Sequence, residues 1–144
     1  MPRKLDQIGI DNIKRFEGLS LEVYADAAGY PTIGFGHLIL PGENFQSITI
    51  AQAEKLLRDD VARFEASVNK SVKVPLSQNM FNALVSFSYN VGIRAFESST
   101  LLKKLNGGDY IGSSNELDRW VNAGGKQIAG LVNRRKYEKE AFFA

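Results

Sequence analysis

The sequence predicts a mostly helical α+β domain with a small antiparallel sheet near its N-terminus. Residues 21–35 alternate apolar and other side chains around a turn-rich segment, a pattern typical of a small hairpin. Residues 49–68 carry apolar side chains at spacings of three and four, which predicts a long amphipathic helix. Residues 78–90 are apolar over most of a helical circumference, so we expect them to form a buried core helix.

Length and composition are those of one globular domain. The chain has 144 residues, of which 44% are hydrophobic and 24% charged, and this balance argues against disorder. No apolar run approaches the roughly 20 residues needed to cross a bilayer. The first residues also lack the apolar stretch of a secretory signal. We therefore expect no stable membrane insertion and no visible export route.

Cysteine is absent and His37 is the single histidine. No disulfide or thiolate nucleophile is available, and a zinc site would need ligands taken largely from carboxylates. We therefore expect no metal and no cofactor.

The charge is unevenly distributed along the chain. Residues 1–100 hold 10 basic and 11 acidic side chains, whereas residues 101–144 hold 8 basic and 5 acidic ones. A basic C-terminal third could favour an anionic polymer, although a solvated helical face is the better explanation. The basic runs are short and resemble no nucleic-acid motif, so we expect no nucleic-acid partner.

The elements can be placed in order along the chain. We predict a first helix over about residues 6–16, ending at Gly18, then the hairpin, then the long helix opened by Thr49. Ser77 should cap the core helix, and a short helix should cover residues 98–105. Ser113 or Ser114 should cap a further helix that stops at Gly124-Gly125, and a final helix should cover about residues 131–143.

We expect a single domain made of three parts. About residues 1–48 form an N-terminal sheet lobe, residues 49–70 a connecting helix, and residues 71–144 a helical lobe, with the substrate cleft between the lobes.

Two carboxylates and a hydroxyl lie in one short stretch. Asp26 follows Glu17 by nine residues, and Thr32 follows Asp26 by six. Paired carboxylates can hydrolyse a glycosidic bond when one is protonated and donates to the leaving oxygen while the other is ionised on the opposite face of the sugar. Glu17 follows apolar residues, and Asp26 lies in a small-residue loop open to water. Thr32 could share a water with Asp26, because a hydroxyl both donates and accepts.

The segment EGLSLEVYADAAGYPTIGFGH closely resembles the active-site signature of the bacteriophage-type lysozymes, or endolysins. FNALVSFSYNVG, residues 81–92, resembles the central helix of that family, and Trp120-Val121 with the later run GLVNRR resembles its C-terminal motif. The resemblance covers essentially the whole chain. It implies a lysozyme-like fold and a muramidase that hydrolyses the β-1,4 bond between N-acetylmuramic acid and N-acetylglucosamine, with Glu17, Asp26 and Thr32 as the catalytic group.

The resemblance also implies inversion at the anomeric carbon, which requires the two carboxyl groups to be roughly 6.5–9.5 Å apart. It further implies synthesis in the host cytoplasm, passage through a membrane opened by a holin, and action at the periplasmic cell wall. Because no long exposed apolar helix is evident, we expect a monomer.

Other side chains are candidates for substrate binding, namely Tyr30, Gly36, His37, Thr100 and Arg134. Gly36 weakens a strand unless a backbone or ligand approaches closely. His37 could take part in catalysis, or it could be a buried ion-pair residue with an acidic partner on the long helix. The resemblance suggests that Arg134 reaches towards Glu17, so we expect Arg134→Ala to impair both stability and activity. Trp120 could stack on a sugar but is more often a core residue in such a helix.

Two other function classes remain open. A lytic transglycosylase would cut the same bond without water, and the pairing of Asp26 with Thr32 argues against it because a water-holding pair would be superfluous. A non-catalytic wall-binding module would only grip glycan, and the intact set of Glu17, Asp26 and Thr32 disfavours it. Free endolysin, virion enzyme and secreted effector are all compatible with the sequence.

Overall fold

A computed structural model describes residues 2–144, and these divide into two compact units. The first consists of residues 2–9 and 63–144, and the second of residues 10–62. We call them the helical unit and the sheet unit. The predicted fold class is confirmed, because the chain is mostly helical with a small three-stranded antiparallel sheet.

The elements follow one another along the chain in a simple order. They are α1 (Gln7–Glu17), β1 (Ser20–Ala25), β2 (Pro31–Gly34), β3 (His37–Leu38), α2 (Ile50–Ser71), α3 (Gln78–Val91), α4 (Ile93–Glu97), α5 (Thr100–Asn106), α6 (Tyr110–Glu116), a 3₁₀ turn (Leu117–Arg119), β4 (Asn122–Ala123), β5 (Lys126–Gln127) and α7 (Ala129–Phe142). No helix within residues 2–144 combines the length and the apolar character needed to cross a membrane.

The sheet unit is built on the order β1-β2-β3, with both pairs antiparallel. Thr32 on β2 pairs with Tyr24 on β1 and with Leu38 on β3, while Ile33 pairs with His37. Since side chains alternate between the two faces of a sheet, Thr32 and Ile33 point to opposite faces. The apolar core of the unit is completed by helical residues, and its fully buried members are Ile10, Ile13, Ile33, Ala53, Leu57 and Val61.

Helix α2 begins with a reciprocal cap, as the position of Thr49 predicts. The backbone N–H of Gln52 donates to Thr49 Oγ1 at 3.1 Å, and the backbone N–H of Thr49 donates to Gln52 Oε1 at 2.8 Å. Each side chain therefore satisfies a backbone donor that the first turn of a helix leaves free. The long helix runs three residues further than the apolar spacing predicts, to Ser71.

The helical unit is organised around α3, the predicted core helix. Ser77 caps it, because its side chain accepts a hydrogen bond from the backbone N–H of Met80 at 3.1 Å. Residues 81–88 of α3 are all buried, and α3 packs against α7. Aromatic side chains fill this core, and the fully buried ones are Phe81, Phe87, Phe96 and Phe142.

Two predictions in the C-terminal third are wrong. Helix α6 is capped by Asp109, which accepts from the backbone N–H of Gly112 at 2.8 Å, so Ser113 and Ser114 lie buried inside the helix rather than at its start. Gly124-Gly125 does not stop a helix but forms the turn of the β4–β5 hairpin, where both residues have positive φ. Helix α4 was not predicted at all.

Candidate active site

Asp26 lies at the turn that joins β1 to β2, and its carboxylate helps to build that turn. The backbone N–H of Gly29 donates to the Asp26 carbonyl at 2.9 Å, and Gly29 has φ +87°. This is a type I turn followed by a left-handed glycine, for which Asp in the first position is favoured. Oδ1 of Asp26 accepts from the backbone N–H groups of Ala28 and Tyr30, both at 2.9 Å. Within the sheet unit Oδ2 accepts no hydrogen bond, so that oxygen is left for an external partner.

Thr32 lies two residues after this turn, on β2. Its hydroxyl donates to the Tyr30 carbonyl at 3.0 Å, and the residue is only 2% exposed. The backbone N–H of Asp26 donates to the Tyr30 carbonyl at 2.9 Å, which continues the β1–β2 pairing by one pair and places Asp26 opposite Tyr30, two residues before Thr32. Residues that are diagonal neighbours across two antiparallel strands lie on the same face of the sheet. Asp26 and Thr32 are related in this way, so both side chains can contact one group bound on that face.

Glu17 is the last residue of α1, as Gly18 immediately after it ends the helix. Gly18 has φ +71°, and its backbone N–H donates to the Lys14 carbonyl at 3.0 Å. The Glu17 carboxylate is half-buried and lies against Gly36, in the turn between β2 and β3. A Cβ atom added to Gly36 would stand 3.0 Å from Glu17 Oε2. The near neighbour of Gly36 is therefore a side chain, that of Glu17, and not a backbone or a ligand.

His37 is held between two carboxylates. Its Nδ1 lies 2.8 Å from Asp60 Oδ2 and its Nε2 lies 2.9 Å from Glu43 Oε1, and the residue is 7% exposed. Asp60 is on α2, where an acidic partner was expected. Burial lowers the pKa of His37, but hydrogen bonds and charges from Asp60 and Glu43 outweigh that effect and hold its pKa above the usual value. With both ring nitrogens occupied, His37 has the surroundings of an ion-pair residue.

The remaining candidates lie in different surroundings. Tyr30 is 62% exposed beside the Asp26 turn, and Thr100 is an exposed residue at the start of α5 in the helical unit. Arg134 is buried in the helical unit, where its Nε lies 3.2 Å from Glu138 Oε2 and one NH2 group donates to the Ser86 carbonyl at 3.0 Å. The sheet unit therefore carries Glu17, Asp26, Thr32, Tyr30, Gly36 and His37, and the helical unit carries Thr100 and Arg134.

The helical unit also contains a pocket of about 250 Å³. Trp120 forms one wall, and its ring is fixed edge-on against Phe87 with 5.4 Å between ring centroids. Glu116 is buried and pairs with Arg119 at 2.6 Å. The other lining residues are Thr100 and Leu101. The three-residue spacing of Glu116 and Arg119 was a helical ion-pair signal that the sequence analysis missed.

No group of three or more His, Asp or Glu side chains suited to a metal ion occurs within residues 2–144. The cluster of His37, Asp60 and Glu43 satisfies its own members through charged hydrogen bonds.

The chain is similar to known proteins over most of its length. The family model described as phage lysozyme matches residues 14–138. The endolysin of Bacillus phage PZA is 48% identical over 141 residues, covering 96% of this chain. The endolysin of Acyrthosiphon pisum secondary endosymbiont phage 1 is 43% identical, with 96% of this chain and 97% of that protein covered. The muramidase domain of SpmX from Asticaccaulis excentricus superposes with a TM-score of 0.90 at 35% identity, and 99% of each chain is covered.

These similarities define the class as lysozyme-like, and the chain belongs to the phage lysozyme family. It spans about half the length of some of its relatives, since the match covers 55% of the Bacillus phage PZA endolysin.

Proposed function

We propose that this protein is a muramidase, a glycoside hydrolase that cuts the glycan strands of bacterial peptidoglycan. The single observation that carries the proposal is the combination of Glu17, Asp26 and Thr32 within the sheet unit of a phage lysozyme family member. The endolysin relatives and the SpmX muramidase domain support the same substrate class.

The proposed reaction is hydrolysis by an acid and a water-binding carboxylate. Protonated Glu17 donates its proton to the glycosidic oxygen, and the bond from that oxygen to the anomeric carbon breaks. A water held by Asp26 and Thr32 attacks the anomeric carbon and gives up a proton to Asp26. The free Oδ2 of Asp26 supports this role, because Oδ1 is already occupied by two backbone N–H groups.

Two finer features belong to the same proposal. The bond is the β-1,4 linkage between N-acetylmuramic acid and N-acetylglucosamine, and the anomeric configuration is inverted, since the attacking water and the leaving oxygen lie on opposite faces of the sugar. The enzyme acts as a monomer at the periplasmic wall after synthesis in the host cytoplasm and holin-dependent release. Tyr30 and Thr100, whose side chains are exposed, are proposed to help bind substrate, whereas Arg134 is 4% exposed and bonds to Glu138 and Ser86.

The test is cleavage of purified peptidoglycan by the wild type and by Glu17→Gln, with mass spectrometry of the products. We expect hydrated reducing ends from the wild type and a loss of at least about 100-fold in the variant, as befits a general acid. Glu22→Gln is the matched control, because Glu22 is an exposed carboxylate on β1. Product anomers examined at once after cleavage test inversion, and retention would make Asp26 a nucleophile.

The other outcomes identify the other function classes. Anhydro-sugar ends would indicate a lytic transglycosylase, which cuts the bond without water. Binding of peptidoglycan without any cleavage would indicate a wall-binding module and would overturn the proposal.

A further inference from the structure

The last turn of α1 is attached to the rest of the sheet unit through the side chain of Lys14. Lys14 precedes Glu17 by three residues on the same helix. Its Nζ lies 2.8 Å from Glu54 Oε2 on α2 and 3.8 Å from Asp11 Oδ1 on α1. Only 21% of the Lys14 side chain is exposed, so this ion pair is better shielded from solvent than a surface pair.

Lys14 also contacts the turn that faces Glu17. Its Nζ lies over the ring of Phe35, 5.4 Å from the ring centroid, a distance at which an ammonium is attracted to the face of an aromatic ring. Phe35 is 7% exposed and stands between Gly34 and Gly36, whose φ angles are +70° and +86°. Gly34 and Gly36 have no side chains that could fix this turn, so the side chain of Phe35 between them is its anchor.

The position of this turn controls the space at the Glu17 carboxylate. Gly36 approaches so closely that a single added carbon would meet Oε2 at 3.0 Å. A shift of the turn by a fraction of an ångström would therefore alter the room that Glu17 has, and misplacement of a reacting group by about 1 Å can cost about 100-fold in rate.

We propose that Lys14 is a positioning residue for Glu17: by holding Phe35 and Glu54 together, it sets the gap between Gly36 and the Glu17 carboxylate. This inference rests on the proposed function of Glu17 as proton donor. Lys14 itself touches no reacting atom, and it acts through the Phe35–Gly36 turn.

The test compares Lys14→Met, Lys14→Arg and the control Lys55→Met. Met keeps the aliphatic stem without the charge, and Arg keeps a cation for both Phe35 and Glu54. Lys55 is a matched lysine on α2 whose pair with Asp59 is exposed, so its loss should matter little. We expect kcat on soluble glycan fragments to fall about tenfold in Lys14→Met with KM within about twofold, and to stay within about threefold of wild type in Lys14→Arg.

A second readout does not depend on activity. Replacing Glu17 with Gln should change the backbone amide NMR shift of Gly36 strongly in the wild-type background, because the carboxylate lies against this residue. In the Lys14→Met background the same replacement should change that shift by less than half as much. This measurement tests the gap even if the protein cleaves nothing, so failure of the proposed function and failure of the positioning role are distinguishable.

The inference is overturned by either of two results. One is a Lys14→Met variant whose kcat matches that of Lys55→Met, or whose loss lies in KM alone. The other is an unchanged response of Gly36 to the Glu17 replacement in the Lys14→Met background. Either result overturns the proposal even if Lys14→Met also lowers thermal stability, because Lys14 would then have a purely structural role.

Discussion

Asp60 on helix α2 binds the ring of His37 from one side, with 2.8 Å between Oδ2 and Nδ1. The folded state holds the pKa of His37 above its usual value, against the effect of burial, because of Asp60 and Glu43. A raised pKa means that the folded state binds the proton more tightly than the unfolded state. The stabilisation is therefore fully present below the unfolded pKa of about 6.5 and is lost as pH rises through the folded pKa.

His37→Gln should lower the free energy of unfolding by about 2 kcal/mol at pH values below the unfolded pKa of about 6.5, since a charged hydrogen-bonded group is removed. The difference from wild type should shrink as pH rises through the folded pKa of His37. Urea unfolding at one pH below the unfolded pKa and one pH above the folded pKa of His37 measures this difference. Lys55→Gln is the control for loss of an exposed ion pair. A difference that stays constant with pH would contradict the ion-pair interpretation.

Gly36→Ala should remove most activity. The new methyl group would stand 3.0 Å from Glu17 Oε2. The substituted residue would also have to adopt φ +86°, a backbone conformation that costs roughly 1–3 kcal/mol for a residue other than glycine. Gly124→Ala is the matched control, since Gly124 has φ +60° but nothing within 4 Å of its added carbon. Both variants should lose stability in urea unfolding, and only Gly36→Ala should lose activity. Equal activities would show that the contact with Glu17 is unimportant.

Asp26→Asn should separate the turn from the chemistry. An Asn side-chain oxygen can still accept from the backbone N–H groups of Ala28 and Tyr30, so we expect the unfolding free energy to stay within about 0.5 kcal/mol of wild type. Activity should fall by at least about 100-fold, because the amide cannot accept the proton of the attacking water. Asp26→Ala, which loses both the charge and the turn bonds, should lose stability as well. An active Asp26→Asn enzyme would remove Asp26 from the mechanism.

Glu138→Gln should destabilise the helical unit strongly. Glu138 is 1% exposed and lies 3.2 Å from Arg134 Nε and 2.9 Å from Arg135 Nε, and it also accepts from the Ser86 hydroxyl at 2.6 Å. Removing its charge leaves two buried guanidinium groups without their shared carboxylate, a change that costs about 3–5 kcal/mol. Urea unfolding measures the effect, and the exposed Glu140→Gln serves as the control. Similar unfolding free energies for the two variants would refute this account.

The sequence predicts the elements whose signals are local. The apolar spacing of α2 and the Ser77 cap of α3 were read correctly, because each depends on residues within one or two turns. The predicted start of α6 is wrong because Ser113 and Ser114 are good caps by type, whereas Asp109 is the cap and both serines are buried within the helix. Short elements such as α4 and the β4–β5 hairpin have too few residues to show a period.

The candidate site also combines features that the sequence predicts with features that it does not. The spacing of Glu17, Asp26 and Thr32, with a turn at Asp26, can be recognised in the sequence as a motif. The partners of His37 are harder to predict from the sequence. Asp60 lies 23 residues away, and several acidic residues of α2 could equally have reached the histidine. The contact between Gly36 and Glu17 depends on how a turn packs against a helix end, and only the folded chain supplies that.

The turn built by Asp26 has an evolutionary consequence. A single base change turns an aspartate codon into an asparagine codon, and here that change would spare the hydrogen bonds of the hairpin while abolishing the charge. Selection to keep the fold would therefore not oppose this change. Under the proposed function, a single base change at this position would separate cleavage from folding.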